Sequence, residues 1–305
     1  MRDTFAAELL SAAQRDDRIM FVTGDLGFGV FEKFRREVPD QYLNVGVAEQ
    51  NMVAVSTGLA LEGKIVFAYS IGNFPVLRCL EQIRNDAAYH GANVKIVSIG
   101  GGFSYGPLGM SHHATEDIAV MRAIPDVLVL VPGTLHETAL AFNQLLETPG
   151  TGYLRLDKSF GEEPSERVDR TAGQWRVLRH GDDVALIASG GVLGEAQLAA
   201  NQLAQSGIEA QIVSAMEFPI SAEETIRSFG NVPAVLTIEE HVTTGGLGSH
   251  VAEAIVDTRS SVRLTRVGIP NTYVSSVGSQ QYLRATIGID GSSIAARARE
   301  LVSEP

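Results

Sequence analysis

The stretch Asn44-Val45-Gly46-Val47-Ala48-Glu49-Gln50-Asn51-Met52 leads into a run of small and apolar residues that ends at Leu61. This composition predicts a helix over 47–61 that packs against a sheet, with Glu49 as its single acid. A carboxyl group in such surroundings is costly to bury unless another group hydrogen-bonds it. Because an acid near a helix start is often a cap or a partner of the helix dipole, Glu49 alone leaves a structural and a chemical role open.

Apolar runs rich in Val and Ile alternate with helical patterns on both sides of this stretch. The predicted strands cover 19–22, 65–69, 94–99 and 127–131, and the predicted helices cover 5–14, 47–61, 76–89 and 135–146. Alternation of apolar strands with helices is typical of a parallel sheet that is covered on both faces. We therefore predict an α/β domain over 1–157.

The segment 158–183 is polar and charged, which predicts a linker over the surface. The alternation then resumes, with predicted strands at 184–188, 209–213 and 234–238 and predicted helices at 194–205, 222–229, 246–257 and 293–302. The residues 184–305 are thus predicted to form a second α/β domain. In both domains we expect a mainly parallel sheet with helices on both faces.

Bulk properties exclude several classes of protein. The 305 residues carry a formal net charge of −12, which argues against nucleic acid or an anionic membrane as the main partner. The single cysteine, Cys79, can form no internal disulfide. The N-terminus shows no signal-peptide pattern and no apolar run reaches transmembrane length, so we predict a cytoplasmic protein with no membrane partner.

Three further parts of the chain accompany the Glu49 stretch. They are Arg78-Cys79-Leu80-Glu81-Gln82-Ile83-Arg84-Asn85-Asp86, Gly109-Met110-Ser111-His112-His113-Ala114-Thr115-Glu116-Asp117, and Thr237-Ile238-Glu239-Glu240-His241 with Gly245-Gly246-Leu247-Gly248-Ser249. With these motifs in this order, the chain resembles the C-terminal half of the transketolase family, a pyrimidine-binding domain followed by the family's C-terminal domain. Each motif alone is weak, but together they span nearly the whole chain.

A full transketolase resembles this chain preceded by a further domain, which binds the diphosphate of thiamine diphosphate through Mg²⁺ with a Gly-Asp-Gly motif and a downstream Asn. The nearest match here, Gly24-Asp25-Leu26-Gly27 with Asn44, has Leu at the third position. The resemblance places it instead at the first strand of the pyrimidine-binding domain. It thus implies a split enzyme, in which an N-terminal subunit holds Mg²⁺ and the diphosphate, this chain ligates no metal, and two copies of each subunit form a heterotetramer.

The resemblance assigns Glu49 to activation of the cofactor. The acid would hydrogen-bond a ring nitrogen of the aminopyrimidine and favour its imino tautomer, which removes the thiazolium proton. Phe74 is the candidate that stacks on the pyrimidine, against the alternative that it is ordinary core, and Ile71 replaces a second aromatic residue of the family. Arg78 completes this part of the cofactor-binding set.

Asp25 and Leu26 are expected near the cofactor rings, although an acid at a strand end is also a common turn residue. The substrate side departs from the family pattern. Phe28 stands in a segment where sugar-phosphate transketolases tend to have a Ser that touches the phosphate. Gly100 and Leu108 are the counterparts of a His and an Asp. The resemblance therefore implies a less polar donor site.

His112 matches the family His that contacts reacting substrate oxygens, and imidazole can change its charge near neutral pH. A structural histidine is the alternative, and His113 is expected to point elsewhere. Arg155 is a further candidate for a substrate contact. The spacing in the segment 111–117 matches no recognised zinc pattern.

The resulting hypothesis is a transketolase-type transferase of carbohydrate metabolism that moves a two-carbon ketol unit from a ketose to an aldehyde-type acceptor. Two alternatives stay open. One is the beta subunit of a keto-acid dehydrogenase, which passes an acyl group to lipoamide. The other is a non-catalytic scaffold subunit that has kept the fold.

Overall fold

Six strands from the N-terminal half of the chain form most of the first sheet in this computed structural model, which describes residues 1–164 and 175–303. The elements are α1 (Arg2–Ala13), β1 (Ile19–Thr23), α2 (Glu32–Glu37), β2 (Tyr42–Asn44), α3 (Glu49–Leu61), β3 (Ile65–Ile71), a π-helical turn (Gln82–Ala88), β4 (Val94–Ile99), α4 (Asp117–Arg122), β5 (Leu128–Leu130), α5 (Leu135–Glu147) and β6 (Gly152–Leu156). The seventh strand, β10, comes from the second half of the chain.

A second sheet of five strands follows. The elements here are β7 (Arg176–Arg179), β8 (Val184–Ser189), α6 (Leu193–Ala204), β9 (Ala210–Ser214), β10 (Glu217–Phe218), α7 (Ala222–Phe229), β11 (Ala234–Val242), α8 (Leu247–Thr258), β12 (Arg263–Ile269), α9 (Gln280–Ile287) and α10 (Gly291–Ser303). Among the described residues, no helix is both long and apolar enough to cross a membrane.

The strand orders are β10-β5-β6-β4-β3-β1-β2 in the first sheet and β12-β11-β8-β9-β7 in the second. All neighbouring pairs are parallel except β10 with β5 and β7 with β9. The predicted fold class, two mainly parallel sheets with helices, is confirmed.

Burial explains the parallel arrangement. Every residue of β4 (VKIVSI) and of β8 (VALIAS) is buried, as expected for strands that are covered on both faces. The exception in composition is Lys95 in β4. Its ammonium group donates hydrogen bonds to the carbonyl oxygens of Thr148 (2.7 Å) and Gly150 (2.6 Å), which compensates for its burial.

Several short or polar elements lie outside the predicted strands and helices. The strands β2 and β10 have three and two residues, too few for a periodic pattern. The strand β7 lies inside the segment predicted as a linker. Its alternating Arg-Val-Leu-Arg sequence has the pattern of a half-buried strand, and it forms an edge of the second sheet. The rest of that linker at 165–174 lies outside the described residues. The predicted helix over 76–89 is instead a series of turns that ends in the π-helical turn.

Glu240, near the end of β11, holds the two halves together. Its Oε1 accepts hydrogen bonds from the backbone N–H of Phe103 (2.6 Å) and from Gln280 Nε2 (2.9 Å), and its Oε2 accepts one from Arg284 Nε (2.6 Å). Both Glu240 and Arg284 are buried. The loop that follows β4 is therefore fixed against the second domain by a buried charge.

Candidate active site

The crevice between β1 and β3 is the natural place for a ligand. In the strand order, the connection from β1 runs to β2 at one edge of the sheet, whereas the connection from β3 runs to β4 in the opposite direction. Ligands of open parallel sheets bind where the connections diverge, outside the carboxyl ends of the strands. The loop after β1, the start of α3, the segment after β3 and the loop after β4 all meet there.

Glu49 is buried at this crevice. It is the first residue of α3, and its side chain is only 3% exposed. The Nη1 atom of Arg78 donates a hydrogen bond of 2.7 Å to its Oε2. Among the described residues, Arg78 is the only donor to this carboxylate. The structure thus places the predicted cofactor acid at the switch point of the sheet, with a single cation as its partner.

Phe74 and His112 extend the series of side-chain contacts that begins with Glu49 and Arg78. The guanidinium carbon of Arg78 lies 4.8 Å from the centroid of the Phe74 ring. The His112 ring packs against Phe74 with a centroid distance of 5.1 Å and an interplanar angle of 66°. Phe74 is half-buried and lies outside the buried core clusters, which separates it from ordinary core aromatics.

The two adjacent histidines point in different directions. His112 is partly exposed, and its Nδ1 lies 3.0 Å from Ser111 Oγ. His113 is buried against Phe103, with its Nε2 at 3.3 Å from the carbonyl oxygen of Gly106. Burial, and then the neighbouring His113, lower the pKa of His112 from its ordinary value. The imidazole of His112 therefore stays neutral to a lower pH.

Asp25 and Leu26 lie at the mouth of the crevice, in a turn closed by Asn44. The Asp25 backbone, at φ 58°, is in the left-handed region. Asn44 Oδ1 accepts the Asp25 N–H (3.0 Å), and Asn44 Nδ2 donates to Asp25 Oδ1 (2.9 Å). Leu26 packs on the aromatic core beneath. Phe28 is 77% exposed. Asn44 thus closes the Asp25 turn, whereas its sequence context relates it only to the rejected metal motif.

The loop after β4 shows why this chain carries no side chain at position 100. Gly100 has a φ of +98°, and a Cβ there would lie 2.2 Å from the ring of Tyr105. Tyr105 in turn lies 6.3 Å from His112 between ring centroids, and Lys158 Nζ lies 3.7 Å from the Tyr105 centroid. Neither Tyr105 nor Lys158 is among the site residues predicted from the sequence. The only sequence signal for Tyr105 is its position as an aromatic residue inside a glycine-rich loop.

Ile71 is the last residue of β3 and packs, partly buried, on the core. Leu108 is exposed in the turn Gly106–Leu108. Neither side chain offers a polar group at the crevice.

Arg155, the further candidate for a substrate contact, is buried and bonded to protein groups. Its side chain is 1% exposed, and its Nη2 donates to the carbonyl oxygens of Ala114 (3.2 Å) and Glu240 (2.8 Å). Its Nε lies 3.4 Å from Asp117 Oδ2. Arg155 is buried because the second domain packs against β6, and its guanidinium group therefore links the two domains.

Within the described ranges 1–164 and 175–303, no group of three or more His, Cys, Asp or Glu side chains is arranged to hold a metal ion.

The fold and the crevice define a two-domain subunit of the transketolase type. The family model for the transketolase pyrimidine-binding domain matches residues 1–162, and the model for the transketolase C-terminal domain matches residues 173–294. The chain therefore belongs to the transketolase family and corresponds to the C-terminal half of its split, two-subunit members.

Individual relatives have the same extent. A putative transketolase C-terminal section of Methanocaldococcus jannaschii is 36% identical over 304 residues, 98% of this chain and 95% of the relative. A 6-deoxy-6-sulfo-D-fructose transketolase subunit of Clostridium sp. strain MSTE9 is 36% identical over 308 residues, 99% of this chain and 94% of the relative. A solved structure described as a split-gene transketolase, inactive beta4 tetramer, aligns with a TM-score of 0.88 at 31% identity and covers 99% of this chain and 98% of its own.

Proposed function

We propose that this chain is the C-terminal subunit of a thiamine diphosphate-dependent transketolase, which moves a two-carbon ketol unit from a ketose to an aldehyde-type acceptor. The observation that carries the proposal is the Glu49 carboxylate, buried at the switch point of the first sheet beside the half-exposed ring of Phe74. A buried acid and an aromatic face are the two features that an aminopyrimidine ring requires.

The residues of the crevice fit this cofactor. Glu49 Oε1 accepts no hydrogen bond from the described residues, so the carboxylate retains an acceptor for a ring N–H. Phe74 supplies area and a defined stacking geometry. When bound, thiamine diphosphate supplies a nucleophilic carbon and an electron sink for cleavage beside a carbonyl. Glu49 exchanges a proton with the pyrimidine nitrogen, and His112 moves a proton at a substrate oxygen.

The partner is an N-terminal subunit that holds the diphosphate and Mg²⁺. Asp25, the only acid of the sequence Gly24-Asp25-Leu26-Gly27, is hydrogen-bonded to Asn44. The names of the relatives, a C-terminal section and a transketolase subunit, support the split arrangement. We propose a heterotetramer with two copies of each subunit.

The donor site suggests a substrate other than the common pentose phosphates. Phe28 and Leu108 are exposed and apolar, and the Tyr105 ring takes the space of a side chain at position 100. Relatives named as subunits of a 6-deoxy-6-sulfo-D-fructose transketolase and of an apulose-4-phosphate transketolase support a varied sugar specificity among split enzymes. Turnover of xylulose 5-phosphate with ordinary transketolase efficiency would contradict this part of the proposal.

An acceptor assay on the assembled complex tests the reaction class. Ketose donors are offered with aldehyde acceptors, and 2-keto acids are offered with lipoamide. Transfer to aldehydes supports the proposal, and transfer to lipoamide alone would instead identify a keto-acid dehydrogenase subunit. Absence of any turnover together with intact assembly would favour the scaffold.

The pH dependence of kcat/KM is expected to report His112. Because the pKa of His112 lies below its ordinary value, the neutral imidazole persists as the pH falls, and the acidic limb should appear below pH 6.5. Removing the imidazole with His112→Asn should abolish this limb and lower kcat. An acidic limb that is unchanged in His112→Asn would show that another group titrates. The exposed His90 provides the control substitution, His90→Asn.

A further inference from the structure

Arg78 makes two contacts at once in the crevice. Its Nη1 donates to Glu49 Oε2 at 2.7 Å, and its guanidinium carbon lies 4.8 Å from the centroid of Phe74. A planar guanidinium can donate N–H groups to a carboxylate and interact with an aromatic face at the same time. These are the two contacts that the proposed function assigns to the aminopyrimidine ring. A ring that both stacks on this face of Phe74 and reaches Glu49 would occupy the place of Arg78.

The two members of the ion pair differ in their freedom to move. The Glu49 side chain is 3% exposed, whereas that of Arg78 is 48% exposed. Arg78 can therefore turn out into solvent when another group takes its place at the carboxylate, which stays buried. A carboxylate that is buried without a partner is strongly unfavourable. The free chain thus needs a partner for Glu49, and Arg78 is the group that supplies it.

We propose that Arg78 is an internal placeholder for the pyrimidine ring of the cofactor, in place of the cofactor-binding role that the resemblance implies for it. In the chain alone, the guanidinium fills the position between Glu49 and Phe74, and it leaves when the ring enters. This inference rests on the proposed function and adds to it a competitor built into the site. A binding site that is free for only a fraction of the time has an apparent affinity reduced by that fraction.

Removal of the competitor should tighten cofactor binding. The variants Arg78→Met and Arg78→Gln are each assembled with the N-terminal subunit and titrated with thiamine diphosphate and Mg²⁺ by calorimetry. The Kd is expected to fall at least about threefold in both variants, since the ring no longer has to displace a charge-assisted hydrogen bond that solvent only partly replaces. The matched control is Arg84→Met, which removes the same charge from an exposed arginine bonded to Asn85.

A second measurement separates a placeholder from a general structural role. Arg78→Met should lower the Tm of the chain alone, because Glu49 loses its partner. The complex saturated with thiamine diphosphate should be at least as stable with Arg78→Met as with Arg78. A loaded complex that is less stable with Arg78→Met would overturn the placeholder.

The possible outcomes test the placeholder role of Arg78 separately from the proposed function of the chain. An unchanged or weaker Kd in both Arg78 variants, with uptake by the wild-type complex, overturns the placeholder and leaves the proposed function intact. Equal tightening in the Arg84→Met control would also overturn the placeholder, because bulk charge would then explain the effect. Absence of uptake by the wild-type complex would overturn both.

Discussion

Glu49→Gln in the assembled complex is expected to lower kcat by about 10²–10⁴-fold, the range for loss of a positioned general acid or base. The amide keeps the size of the side chain and its capacity to accept a hydrogen bond, but it cannot exchange a proton with a ring nitrogen. Arg78 loses an ionic partner, yet its half-exposed side chain remains hydrated. The fold should therefore survive the substitution, and steady-state kinetics with a ketose and an aldehyde measures the effect.

The control for this prediction is Glu62→Gln. Glu62 follows the last turn of the same helix and is exposed to solvent, so its substitution should leave kcat unchanged. Full activity of Glu49→Gln would mean that this chain contributes no catalytic acid. The non-catalytic scaffold would then be the better account of the chain.

Glu240→Gln is expected to destabilise the chain by about 3–5 kcal/mol, the typical cost of removing one partner from a buried ion pair. The charge of Arg284 would remain buried, with Ser159 Oγ at 2.8 Å and Glu195 Oε1 at 3.4 Å as its remaining contacts. Unfolding in urea measures the effect. Because an amide offers one acceptor oxygen where Glu240 offers two, the Phe103 N–H and Arg284 would compete for it, so the loop after β4 should loosen and kcat should fall as well.

The double variant Glu240→Leu with Arg284→Met separates charge from packing. It removes both buried charges of this pair, and Glu195 keeps the Gly291 N–H as a donor (2.8 Å), so the double variant should cost less than Glu240→Gln alone. The surface control is Glu209→Gln, whose partner Arg179 lies 3.9 Å away in an exposed pair, and it should cost less than about 1 kcal/mol. A cost of Glu240→Gln as small as that of Glu209→Gln would contradict the role of Glu240 as the link between the domains.

Sequence periodicity is sufficient for the central architecture. The strands predicted at 65–69 and 94–99 are β3 and β4, and the helix predicted over 47–61 is α3, which begins at Glu49. These elements are long and uniformly apolar, so local pattern and tertiary burial agree. The prediction that a buried Glu49 needs a hydrogen-bond partner is also confirmed.

The remaining features depend on contacts that no local pattern contains. The partner of Glu49 is Arg78, which is 29 residues away and belongs to a segment that the periodicity assigns to a helix. The burial of Arg155 arises only when the second domain approaches. Glu240 lies beyond the strand predicted at 234–238, yet it belongs to β11, where its charge is matched by Arg284. Long-range pairing of charges decides all three.

Calorimetric titration of thiamine diphosphate with Mg²⁺ into the two subunits, alone and mixed, tests the central claim most directly. We predict saturable uptake by the mixture, with one cofactor for each chain that carries Glu49, and no comparable uptake by either subunit alone. Absence of uptake by a properly assembled mixture would contradict the account.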